Sequence, residues 1–484
     1  MSIFLATVPE GTQLYHGTSD PDFVKGMQWL AFEPEHALIF ARPRGGPGRP
    51  PPGKGEGPPD DRDSGSEGMT RSPQKRHSQQ PLQEPMPAPQ DPPMGHLHTY
   101  APVHDLRLLY IDGLSAGKTS NGTLDTQDLL LLNLTSSNPD GPMGGEMARA
   151  QGLCSLASTT WGGRIDGVLR LEGGFEIILC DFEAHLQRVD VVSVASRRAP
   201  MLGGWEYVKA ITSRYHGIGG ARVHVDTADF VSVFEYAPAG LWDNDVRSDV
   251  KMPRLTHVAP EVLRAARDDV AALVLRKDWE AREGRDWQGV ADMVVARYSG
   301  PLHYIATNRV FREDGAALAV YLGELLRPFV DVSARNAARE TERCVAQFVP
   351  ALPALSIPPS SLTPLGHRAT HAVATRICDA LLTSWSIASS PLPHSGFSTV
   401  YAEHAVEVVQ ELVEWLGWTS WKDCGTCGEE EVCFIPIWPM GNLEDHAKPK
   451  CRGEKDAEGR TGYWGRMGPP PGKGRAPGER DVKR

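Results

Sequence analysis

The chain lacks any long apolar run. Its longest apolar stretches, such as LLLLNL (Leu129–Leu134), fall far short of the ~20 residues a helix needs to span a bilayer, so no transmembrane segment is expected. It also lacks an excess of positive charge: 50 Lys and Arg face 61 Asp and Glu, a formal net charge of -11. Affinity for nucleic acid rests on cations that neutralise phosphates, so a general nucleic-acid binder is not expected. The basic residues that do gather lie in a Pro/Gly-rich linker and at the last residues, and they read as solvated tails. The opening MSIFLATVPEG lacks a basic start, a long apolar centre and a cleavage site, so no signal peptide is legible. A gene model missing an upstream exon would account for that. No internal repeat stands out.

What remains is ordinary globular material. The 484 residues are 40% hydrophobic and 23% charged, enough for two or three domains with cores of useful size. Residues 1–43 are compact and patterned: TQLYHGT reads as a strand, and PEHALIFA as a short helix with Pro34 in its first turn. Residues 44–95 are low-complexity and too polar to offset their ordering entropy, so we expect a disordered insertion within a domain. Across 96–240, LRLLYIDG, GRIDGVLRLEGG, FEIILCDF and VDVVSVA read as strands and EMARAQGLCSLA as a helix. The pattern is α+β, with a mixed, mainly antiparallel sheet. Residues 241–420 turn helical, with apolar stripes at 3–4 spacing, as in PEVLRAARDDVAALVL and AEHAVEVVQELVEWLG. A Cys-rich segment at 421–455 and a disordered tail at 456–484 complete the expectation. The insertion and the tail share the wording PPPGKG, which suggests translated intron.

DGLSAGKT (Asp112–Thr119) suggests two chemistries and satisfies neither. G-x-S-x-G places Ser115 as in a nucleophile elbow, but KTSNGTLD follows where a helix should begin. The phosphate-loop spacing is one residue short between Gly113 and Gly117, and again lacks its helix. The expectation is a turn at Asp112-Gly113 that ends a strand.

Cys424, Cys427, Cys433 and Cys451 fit two disulfides, with three possible connectivities. Zinc is an alternative, although the second C-x-x-C of a zinc ribbon is absent; free thiols are another. No metal site is expected elsewhere. Cys154, Cys180, Cys344 and Cys378 lie in apolar patterns and read as buried cysteines, with one long-range bridge possible. Trp415, Trp418 and Trp421 are expected to bury the Cys segment against the last helix. Asn121 and Asn133 are glycosylation acceptors, whereas Pro139 disqualifies Asn138. The sequons and the even cysteine count point towards a secreted or extracellular protein.

Three pieces carry a family resemblance. VPEGTQLYHGT (Val8–Thr18), GMQWLA (Gly26–Ala31) and GFEIILC (Gly174–Cys180) occur in order and in strand-like settings. Together they resemble the ADP-ribosyltransferase superfamily of poly-ADP-ribose polymerase type. The resemblance implies NAD as substrate and an oxocarbenium-like transition state. His16 would bind the nicotinamide ribose, Gly17 would offer its backbone to the amide, Trp29 would stack on the ring, and Glu176 would stabilise the developing positive charge. Read from the residues alone, His16 is a turn histidine, Trp29 is core, and Glu176 is an exposed strand carboxylate facing Arg164 or Arg170.

The whole chain also resembles large uncharacterised proteins of filamentous fungi. The shared stretches are LYHGT, WLAFEPEHA, GFEIILCDFEAHL and the terminal CG-x-C…V-C-x-x-PIWP. That resemblance implies secretion or membrane delivery and no established activity. Two expectations follow: a diverged or degenerate NAD-dependent ADP-ribosyltransferase, or a non-catalytic secreted or surface protein that binds or scaffolds. The partner stays unknown in both, and beyond NAD no cofactor is implied.

Overall fold

The computed structural model describes residues 1–43, 94–119, 121–134, 145–195, 204–212, 217–236, 240–242, 252–280, 284–349, 364–390, 398–435 and 442–457. Most of the insertion expected at 44–95 and most of the tail therefore lie outside the described residues. The sheet strands are β1 (Ser2–Val8), β2 (Leu14–Thr18), β3 (Gln28–Ala31), β4 (Met94–Pro102), β5 (Leu106–Ile111), β6 (Gly167–Leu171), β7 (Phe175–Leu179), β8 (Leu186–Ala195) and β9 (His224–Ser232). β4 opens at Met94, inside the stretch expected to be disordered.

The strands join in one nine-stranded sheet ordered β8-β4-β2-β3-β7-β6-β5-β1-β9. All pairs are antiparallel except β5 with β6. The connections force this sheet to roll. Between β4 and β5 lie five strand steps, roughly 24 Å in a flat sheet. Only Val103–Asp105 connect them, and that length of chain reaches about 14 Å at most. The two ends must therefore approach, and a backbone bond from Gly11 to the Pro102 carbonyl (3.0 Å) binds the rim.

Both faces of the central strands are buried, which is why these strands read as continuous apolar runs, whereas most of the edge strand β8 is exposed. The concave face holds Ala6, Val8, Leu14, Leu30, Tyr100, Leu108, Ile177 and Leu179, closed by Phe182 of α3 (Phe182–His185). The convex face presents Ile3, Leu5, Leu109, Ile111, Val168 and Ile178. α2 (Glu146–Ser158), a π-helical turn at Thr126–Leu131 and α6 (Pro260–Arg276) cover it. The π-helical turn was not legible in LLLLNL.

α1 (Pro34–Leu38) starts on Pro34, as expected, and lies flat on the convex face. Two glycines permit that contact. A Cβ on Gly17 would sit 1.9 Å from the Ala37 carbonyl oxygen, and one on Gly95 would sit 2.1 Å from that of Ala41. Next come α4 (Gly204–Ile211) and α5 (Val233–Tyr236). α6 packs into the sheet's core through Leu263, Ala266, Val270 and Leu273, so the helical bundle starts after it and not at 241.

The bundle comprises α7 (Trp287–Thr307), α8 (Arg309–Glu313), α9 (Gly315–Leu326), α10 (Ala337–Ala346), α11 (Leu365–Ala388) and α12 (Ser398–Leu416). Its core is a single cluster that includes Leu302, Leu322, Phe348, Leu381 and Val409. Asp286 caps α7 and Asp314 caps α9, each accepting from backbone amides of the first turn.

Every cysteine is bridged. Cys154–Cys180 ties α2 to the end of β7, and Cys344–Cys378 ties α10 to α11. Cys424–Cys433 and Cys427–Cys451 tie the terminal segment around the hairpin of β10 (Val432–Phe434) and β11 (Lys450–Arg452). The cysteines read as buried singletons thus form two long-range bridges, not one. The tryptophans also depart from expectation. Trp418 and Trp421 pack into the bundle, with Trp421 Nε1 donating to the Ser299 carbonyl at 3.0 Å. The Cys hairpin instead seats Val432 and Phe434 on Val208 of α4.

Candidate functional site

The ladder registers decide which proposed site residues can meet. Side chains alternate faces along a strand. Tyr15 pairs with Ala31, and Ala31 with Glu176, so these three share the convex face. Trp29, two residues from Ala31, shares it as well. His16 neighbours Tyr15 and therefore points to the opposite, concave face. There its ring meets Phe182 edge-on at 5.7 Å, and its Nδ1 bonds to the Trp29 carbonyl oxygen at 2.7 Å. Burial lowers the His16 pKa, outweighing that hydrogen bond, so the ring is neutral at pH 7.

His16 and Glu176 are thus separated by the thickness of the sheet. Gly17 does face Glu176's side, but the backbone of α1 covers it. Trp29 packs against the convex core cluster. The four residues that the ADP-ribosyltransferase resemblance joins in one cleft are not brought together.

Glu176 instead centres a buried ion network, walled by α1, α2 and the π-helical turn. Arg170, its cross-strand partner on β6, is 1% exposed. Arg170 Nε donates to Glu176 Oε1 at 2.8 Å, and its Nη1 donates to Gln127 Oε1 at 2.9 Å. A third bond runs from Arg170 to Glu146 at the start of α2. On the other side of Glu176, Oε2 lies 3.5 Å from His36 Nε2 on α1. Burial opposes ionisation of Glu176, but Arg170, the bond from His36 and the charge of Lys118 outweigh it. Its carboxyl is held well below the usual range.

The network continues outward. Arg149 donates to both oxygens of Asp128, at 2.6 and 3.0 Å, and to Glu146 at 2.7 Å. Lys118 pairs with Glu172 and lies 3.9 Å from Glu146. Of Arg164 and Arg170, Arg170 is the partner of Glu176, and the pair is buried, not exposed. Arg164 donates instead to backbone carbonyls of Val274 and Lys277 at the end of α6.

This arrangement is built for cohesion. Both oxygens of Glu176 are engaged, and the group is ionised throughout the physiological range. The ionised state is the one that charge stabilisation would need, but the residue is 5% exposed and its carboxylate is turned to Arg170 and His36. Ser115 is 3% exposed and donates to the Ile111 carbonyl at 2.7 Å, the role of a turn residue. Gly113 takes the left-handed backbone (φ 85°) that the expected turn requires.

Cys424, Cys427, Cys433 and Cys451 are consumed in bridges, which removes the thiolates zinc would need. Asn133 is exposed, and its Oδ1 accepts from Arg267 at 2.7 Å. Asn121 is half-buried in a turn. Asp128, Glu146 and Arg149 escaped sequence reasoning, because nothing in their spacing ties them to Glu176.

Comparison with known proteins bears on the same region. Residues 1–214 match the family described as the YPL277C N-terminal domain. Two Saccharomyces cerevisiae proteins are similar to this chain. Uncharacterized protein YOR389W is 32% identical over 210 residues, covering 41% of this chain and 30% of that protein. Uncharacterized protein YPL277C is 32% identical over 211 residues, covering 41% of this chain and 39% of that protein. The chain therefore spans well under half the length of these curated relatives. No solved structure matches it. The matches support an uncharacterised fungal family for the N-terminal region and add nothing to the ADP-ribosyltransferase resemblance.

Proposed function

We propose that this chain is a non-catalytic, disulfide-stapled binding or scaffold module of an uncharacterised fungal protein, working in an oxidising compartment. The observation that carries this reading is the pairing of eight cysteines in four bridges. Disulfides persist in secreted and surface proteins and are rare where glutathione keeps thiols reduced. The competing NAD-dependent transferase reading is disfavoured by the opposed directions of His16 and Glu176.

The test uses the purified full chain, prepared without reductant. Alkylation followed by intact-mass measurement should label no cysteine before reduction and eight after it. Free thiols in the native protein would overturn the oxidising-compartment assignment. Incubation with NAD should release nicotinamide no faster from wild type than from Glu176→Ala, with no thermal shift on adding NAD. Turnover by wild type that is abolished in Glu176→Ala while that variant remains folded by circular dichroism would restore the enzyme.

A further inference from the structure

A second cluster lies at the rim where the rolled sheet comes together. His104 sits in the connection from β4 to β5, Asp166 immediately precedes β6, and His185 ends α3 just before β8. One ligand atom from each lies within 4.8 Å of the other two. His104 Nε2 and His185 Nδ1 are 3.0 Å apart, and His185 Nε2 is 3.9 Å from Asp166 Oδ1. We propose that His104, His185 and Asp166 form a binding site for a borderline divalent transition metal, with zinc as its representative.

Three features support this. The first is ligand chemistry. A metal held about 2.0–2.2 Å from each nitrogen or oxygen joins atoms that lie about 3–4 Å apart; one atom from each of the three residues lies within 4.8 Å of the others, and because His185 turns Nδ1 to His104 and Nε2 to Asp166, its ring must shift to give one nitrogen to the ion. The second is the outer layer. His104 Nδ1 lies 3.0 Å from the Asp105 carbonyl oxygen, an arrangement that puts the proton on Nδ1 and leaves Nε2 unprotonated; Nε2 accepts from His185 Nδ1, a bond that the metal would replace. Asp166 is held in orientation by the Arg107 amide (2.8 Å) and by the Arg107 guanidinium (2.6 and 3.1 Å). The third is backbone rigidity. Val103 donates to the His185 carbonyl at 3.0 Å, and Asp166 donates to that of Arg107 at 2.8 Å, so the three ligands sit on segments already tied together.

The charge of Arg107 opposes a cation, so we expect micromolar rather than tighter binding. His104 is exposed, which leaves a fourth position open to water. Bound there, the metal clips the β4–β5 connection to β6 and β8 and fastens the seam of the roll.

The experiment is zinc titration by calorimetry of chelator-treated full chain without reductant, which keeps the eight cysteines bridged and out of competition. Cobalt absorption serves as a second readout of coordination. Wild type should bind one equivalent and melt at a higher temperature with zinc. His104→Ala, at an exposed position where folding is undisturbed, should weaken binding by at least about tenfold and abolish the melting shift. His185→Ala should do the same, whereas His303→Ala on α7 should change neither. Absence of a stoichiometric site in wild type would overturn the proposal, as would unchanged affinity in His104→Ala.

Discussion

Replacing Glu176 with alanine separates a structural carboxylate from a catalytic one. In the folded protein Arg170 is 1% exposed and shares its charge between Glu176 and Glu146. Removing one partner of a buried pair costs about 3–5 kcal/mol, because the remaining charge stays desolvated. Glu146 persists here, so the lower end, about 3 kcal/mol, is expected. At about 1.4 kcal/mol per factor of ten, that accelerates exchange of protected amides roughly 100-fold. Hydrogen-exchange mass spectrometry on peptides covering β6 and β7 reads this directly, while peptides from α11 serve as an unaffected reference. The pH dependence carries the same signature. Glu176 has its pKa depressed in the fold, so its contribution is fully present above the unfolded value of about 4.3 and is lost as pH falls further. Wild type should therefore lose protection in β6 and β7 below that pH more steeply than Glu176→Gln. Unchanged exchange in Glu176→Ala would refute the reasoning outright.

Three further outcomes follow from the same geometry. Gly17→Ala should destabilise the sheet domain by about 3 kcal/mol, because the new methyl meets the immovable Ala37 carbonyl at 1.9 Å; urea unfolding measures it. Cys344→Ser with Cys378→Ser should lower bundle stability by about 2–5 kcal/mol and bring wild type and variant together under reductant, as followed by thermal melts. His16 and His98 both have their pKa lowered by burial, so the unfolded chain takes up protons first as pH drops below about 6.5. Stability should fall through that window, and His16→Gln with His98→Gln should flatten the slope in denaturant titrations.

Local patterns were legible where they coincide with local structure. LRLLYI and FEIIL became strands, Pro34 began a helix, and the stripe of Pro260–Arg276 faces a core. What escaped was punctuated or non-local. β4 begins in MGHLHTY, beside a Pro-rich stretch, and β9 carries His224, Asp226 and Asp229. α7 contains Pro301 and so does not scan as one helix. The direction of His16 relative to Glu176 depends on β2 pairing with β3 and β3 with β7, a register that no window around either residue contains. The His104, Asp166 and His185 cluster is hidden for the same reason: its two histidines lie 81 residues apart. Its members come from three connections that meet only because the sheet rolls.

The buried ion pair has a consequence for how that sheet assembles. Register is usually specified by one apolar and one polar face, and a one-residue slip exposes the wrong set. Here β6 and β7 are apolar on both faces, with Ile177 turned to the concave core and Ile178 to the convex one. Alternation therefore discriminates weakly between registers. Arg170 and Glu176 are directly opposed on the two strands and supply the missing signal. A slip would bury one charge among aliphatic side chains without its partner, at a cost of several kcal/mol. Arg170→Met with Glu176→Leu should accordingly recover most of the stability lost in Glu176→Ala. The same double variant should lose uniqueness, showing doubled or broadened amide resonances for β6 and β7. A single sharp set with native cross-strand contacts would mean that the connecting turn alone specifies the register and that the pair serves cohesion only.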